Sequence, residues 1–119
     1  MIKRPSQIKY HRVSHWLEVV FDDARYELPA EYLRVYSPSA EVRGHGGGEP
    51  LLILEKENVG ISRIDAVGNY AVRLYFSDGH STGLYSWDVL RDLGENQAAY
   101  WTRYLERLAE AGIQRQEPA

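Results

Sequence analysis

Between Glu95 and Ala111, Trp101, Tyr104, Leu105 and Leu108 recur at i, i+3, i+4 and i+7, while Arg103, Glu106, Arg107 and Glu110 fall on the opposite side. A helix with one apolar side must be covered by another element. The only large surface the rest of the chain offers is antiparallel sheet. In "HWLEVVFDDARYEL", Leu17, Val19 and Phe21 alternate onto one face, "DDAR" forms a turn, and Tyr26 to Leu28 returns as a strand. From about 61 to 85 a meander is expected, with Ile61, Ile64, Val67, Val72, Leu74 and Phe76 carrying the apolar signal and breaks at Gly68-Asn69 and at Ser77 to His80. The fold class is therefore α+β: a small antiparallel β-sheet of hairpins and meander, covered by a C-terminal amphipathic helix.

With 119 residues the chain can build one core and no more. Residues 1–12 show no period and read as a flexible arm, 13–112 as the domain, and 113–119 as a polar tail. Pro29 suits the first position of a short helical turn in "PAEYLR", and Ser37 can cap a second over "SPSAEV" with Pro38 at its first position. "LLIL" at 51–54 is a short apolar run. Ser86 is a plausible cap for "WDVLRDL", with Trp87, Leu90 and Leu93 at helical spacing and Gly94 as the stop.

The formal net charge of -3 gives no general attraction to nucleic acid. Without cysteine there can be no disulfide, thiolate nucleophile or cysteine-containing zinc site. No segment approaches a signal peptide or a membrane span, so a cytoplasmic protein is expected.

The reactive-looking stretch is "FSDGHSTGLYSW", Phe76 to Trp87. Asp-Gly is a strong hairpin turn: Asp78 accepts local backbone hydrogen bonds and Gly79 takes positive φ. That reading outweighs a Ser-His-Asp arrangement, whose members come from separate parts of a fold. The glycine loop Gly44 to Gly48 lacks the Lys-Ser/Thr of a phosphate cradle, and Asp22-Asp23 reads as a solvated turn. Of His11, His15, His45 and His80, only His11 and His15 stand four apart, and they fall in a loose arm, not on a helix, so none forms the helical or strand pair of a strong metal site.

Two segments, "LRVYSPSAEVRGHG" (33–46) and "VGNYAVRLYFSDGHSTGLYSWDVLRDLG" (67–94), resemble the gamma-butyrobetaine hydroxylase-like N-terminal domain family, a bacterial domain of unknown function, and the hairpin "LEVVFDDARYELPAEYLR" fits its opening. Members stand alone, precede the catalytic barrel of 2-oxoglutarate-dependent dioxygenases, or are fused to Mrp-type iron-sulfur carriers. The resemblance implies a non-catalytic accessory or protein-interaction domain with a protein partner, an iron-sulfur cluster carrier or an oxygenase. In the dioxygenases a pattern Leu-Arg-x-x-Cys-Pro-Cys-x-x-Cys and a later His hold structural zinc. Those positions are here Ser37, Ser39, Val42 and His80, so no metal and no cofactor is expected. A metal-free polar staple from Ser37 or Ser39 to His80 is expected in its place.

The alternative is a small ligand-binding protein or enzyme using His80 with Asp78, Tyr85 and the glycine loop, His45 included. Tyr36, Tyr70, Tyr85 and Trp16 are the expected interaction surface, Tyr and Trp being the residues that anchor interfaces.

Overall fold

The structure is a computed structural model that describes residues 2–43 and 48–116. Strands β1 (Gln7–His11), β2 (Trp16–Val20) and β3 (Arg25–Pro29) form one antiparallel sheet in chain order. After helices α1 (Ala30–Val35) and α2 (Ala40–Arg43), strands β4 (Ile61–Val67), β5 (Ala71–Phe76) and β6 (Leu84–Ser86) form a second. Helices α3 (Trp87–Glu95) and α4 (Gln97–Glu110) follow. The α+β class holds, with two three-stranded sheets. No helix among the described residues is long and apolar enough to cross a membrane.

Alternation explains which faces close. Leu17 pairs with Leu28 across β2 and β3, and both are fully buried with Val19. On β5, Val72, Leu74 and Phe76 are buried while Arg73 and Tyr75 are only half-buried. The expected arm is corrected in part: Gln7–His11 pairs along its length with Trp16–Val20, and Ile8 and Tyr10 pack against the core. Two alternating apolar residues among charges are too weak a signal alone, and the strand is completed by β2.

The helix boundaries shift for local reasons. Pro29 ends β3 and flanks α1 at its N-cap instead of occupying its first turn. The cap of α2 is Ser39, not Ser37: its hydroxyl accepts from the Glu41 N–H at 3.1 Å, and its carbonyl from Val42 and Arg43. Ser86 caps α3, accepting from the Val89 N–H. Gly94 does not stop α3, which runs to Glu95. A Cβ there would lie 2.5 to 2.7 Å from the Tyr26 ring, so this glycine permits close packing of helix on strand.

Helix α4 meets α1 through rings: Tyr36 stacks on Tyr100 and Tyr32 meets Trp101 edge-on. Tyr104 and Leu108 are buried, but Leu105, expected in the apolar stripe, is exposed, since the covered side is turned toward Tyr100 and Trp101. Gly112, at φ 71°, closes α4: its N–H donates to the Ala109 carbonyl and that of Ile113 to Leu108, a Schellman pattern. The expected polar tail is also corrected. Ile113 packs on the core, and Arg115 pairs with Glu31 through two bonds of 2.9 and 2.5 Å.

Replacing Gly94 by Ala should therefore lower stability by about 1–3 kcal/mol, the usual cost of overpacking, despite the better helix propensity of Ala. Urea denaturation of the two proteins measures it.

Candidate functional site

The turn after β5 and the turn before α2 meet at His80. Gly79, at φ 93°, makes the hairpin, and the Asp78 carboxylate accepts the His80 N–H at 3.0 Å. This places the His80 ring, buried with Ser37, so that its Nε2 lies 2.9 Å from Ser37 Oγ. Ser37 Oγ also accepts the Ser39 N–H at 3.2 Å, while Ser39 Oγ lies 2.6 Å from Thr82 Oγ1. The Thr82 hydroxyl donates to Glu41, whose other carboxylate oxygen stands 3.4 Å from His80 Nδ1. Gly83 lets the two turns approach: a Cβ there would collide with Ser37 Oγ.

Asp78 is committed elsewhere as well. Its Oδ2 accepts from Arg34 Nε at 2.8 Å and from Lys56 Nζ at 2.7 Å. Burial opposes its charge, but the Lys56 contact, the His80 N–H and Arg34 outweigh burial and hold the carboxyl far below its usual range. For His80, burial and then the charge of Arg34 push the pKa down, against weaker opposite pulls from Glu41 and Asp78. The imidazole is thus kept neutral, the form that shares a proton with Ser37.

This donor set does not fit structural zinc. Ser37 and Ser39 offer hydroxyls already engaged in hydrogen bonds, and Val42, buried, offers no donor. Among the described residues no group of three or more His, Asp or Glu side chains is placed to hold a metal ion.

The alternative reading fares differently residue by residue. Tyr85 is fully buried, its hydroxyl donates to the Leu33 carbonyl at 2.6 Å, and burial raises its pKa, so it cannot reach a substrate. His45 and Gly44 to Gly47 lie outside the described residues. Clefts of about 160 to 370 Å³ open elsewhere on the surface, and none of these is bordered by His80, Ser37, Asp78 or Tyr85.

The expected aromatic surface is half corrected. Tyr36 is buried like Tyr85, its hydroxyl donating to the Tyr100 carbonyl at 2.7 Å. Tyr70 is 54% exposed, and Trp16, half-buried, stacks on His11. Sequence reasoning missed Arg34 and Lys56 as partners of Asp78, because nothing in their spacing marks a contact across 44 or 22 residues. Asp23, expected in a solvated turn, forms a two-point pair with Arg91 at 2.7 and 2.9 Å.

A family model described as gamma-butyrobetaine hydroxylase-like, N-terminal, matches residues 8–91. Two solved NMR structures are similar over nearly the whole chain. One is 50% identical with a TM-score of 0.83, covering 98% of this chain and 88% of the other; the second is 44% identical with a TM-score of 0.85, covering 100% and 94%. A crystal structure of a protein of unknown function of the DUF971 family, from Acidithiobacillus ferrooxidans, is 36% identical with a TM-score of 0.64, covering 76% of this chain and 92% of that one. Among curated proteins none matches significantly.

Neutral His80 contributes stability that is complete above the ordinary imidazole value near 6.5 and is lost as pH falls from there through its depressed folded value. A His80→Gln variant should be less stable by about 1–3 kcal/mol at pH 7, for a buried hydrogen-bond partner disturbed. The deficit should narrow at pH 5, as urea denaturation at both pH values would show.

Proposed function

The chain belongs to the gamma-butyrobetaine hydroxylase-like N-terminal domain family, a family of unknown function, and we propose that it works as a non-catalytic cytoplasmic accessory module that docks onto another protein. One observation carries this reading: among the described residues, the three side chains of the alternative reactive set are engaged inside the fold. His80 is bonded to Ser37, Asp78 to Arg34 and Lys56, and Tyr85 to the Leu33 carbonyl. A general acid or base must reach its substrate within hydrogen-bond distance, and none of these three borders the clefts described above.

The partner we propose is an iron-sulfur cluster carrier of the Mrp type or an oxygenase, the proteins in which the resemblance places such domains. The inference is one of analogy between architectures. On this chain Tyr70 is the aromatic residue free to anchor the contact, being more than half exposed at the turn between β4 and β5.

The test is a titration calorimetry experiment with the purified carrier and the purified oxygenase from the same genome. One of them should form a stoichiometric complex. Tyr70→Ala should weaken it by about 2 kcal/mol, roughly thirtyfold, while leaving the melting temperature of the free chain unchanged. Absence of a complex with both proteins would count against the partners, and a small-molecule turnover abolished by His80→Gln would contradict the non-catalytic reading.

A further inference from the structure

Arg43 at the end of α2, Arg103 and Arg107 on α4, and Glu49 with Pro50 border a cleft of about 260 Å³ that Tyr36 and Tyr100 also line. The two rings are stacked, with centroids 5.4 Å apart and planes 25° from parallel. Arg103 and Arg107, four residues apart, share a face of α4. Both hold the Glu49 carboxylate: Arg103 Nε and Nη2 donate to its two oxygens at 2.6 and 3.2 Å, and Arg107 Nε lies 3.4 Å away. That two-point geometry is how a guanidinium recognises a carboxylate or phosphate.

The remaining contacts define how open the site is. Arg43 donates to the Tyr36 carbonyl at 3.3 Å and meets no carboxylate among the described residues. Arg103 Nη1 leans on Glu106 and Glu110 at 3.5 and 3.4 Å. Asp92 also lines the cleft, but its carboxylate accepts from the Tyr100 hydroxyl and from Asn96. The three guanidiniums and Glu49 all lie close enough to the Tyr36 hydroxyl to act on its ionisation, which burial pushes up. Glu49 itself is half exposed and sits between Gly48, at φ 106°, and Pro50, outside any helix or strand, so its carboxylate can leave without disturbing an element.

We propose that this cleft binds a small organic oxyanion, a carboxylate or a phosphate monoester, which replaces Glu49 against Arg103 and Arg107 and gains Arg43 as a further donor, its apolar part lying along the Tyr36–Tyr100 pair. Glu49 is then a resident competitor that holds the site closed to chance anions. The site is independent of the docking role proposed above.

Sodium acetate and inorganic phosphate, titrated separately at constant ionic strength against a chloride control, test this by NMR. The resonances followed are the Arg103 and Arg107 Nε–H groups and the Arg43 and Glu49 amides. At least one of the two anions should produce saturable shifts confined to these groups: saturation by acetate alone assigns a carboxylate, and saturation by phosphate a phosphate-bearing ligand. Glu49→Gln should tighten binding about threefold to fivefold, the factor an exposed ion pair holds closed. Arg43→Ala should weaken it. Shifts that match the chloride control for both anions, or an affinity unchanged by Glu49→Gln, would overturn the proposal.

Discussion

A helix of six residues cannot hold itself together in water, since nucleating it costs more than its few internal hydrogen bonds return. Yet α1 is where the fold converges, and all six of its residues are buried. The Tyr32 hydroxyl donates to the Leu93 carbonyl of α3 at 2.7 Å, and that of Tyr36, just past the helix, to Tyr100 of α4. Tyr85 of β6 reaches the Leu33 carbonyl, Arg34 reaches Asp78 after β5, and Glu31 receives Arg115 from the chain end. The helix persists because its neighbours fix it, and they in turn meet through it.

Tyrosine suits this arrangement because one side chain supplies both a buried ring and a hydroxyl that donates to a backbone carbonyl of a neighbouring element. Tyr104 repeats the device by donating to the Ile53 carbonyl at 2.7 Å, which secures an apolar segment that forms no strand. Burial and then nearby Glu31 push its pKa up to about 12, so it stays a donor throughout the neutral range. The polar cluster at His80 works on the same terms. Where the resemblance implies thiolates around a metal, hydroxyls and one neutral imidazole here join two turns that lie 43 residues apart. Such a cluster rigidifies a fold only when its members are paired, and the contacts of Ser37, Ser39, Thr82 and His80 supply those pairs.

Features set by neighbours in the chain were legible before any coordinates. The Asp78-Gly79 turn, the Ser86 cap and the hairpin of Leu17, Val19 and Leu28 each follow from a handful of adjacent residues. Of the features set by distant partners, the contact of Ser37 with His80 was expected through the family resemblance, and the others were not legible. Tyr36 and Tyr85 look like surface residues until their hydroxyls find carbonyls 64 and 52 residues away. Gly94 looks like a helix stop until Tyr26 occupies the space beside it, and Leu105 falls on the apolar stripe of a helical wheel but outside the arc that α1 covers. Periodicity reports that a face is apolar; it does not report how wide a neighbour is.

Native-state hydrogen exchange tests most directly whether α1 is the common anchor. If it is, the amide of Tyr36, bonded to the Tyr32 carbonyl, should exchange only through global unfolding, with the same free energy and urea dependence as the central amides of β5. Exchange of that amide through a local opening of clearly lower free energy, while β5 stays protected, would show that the rest of the fold does not depend on α1.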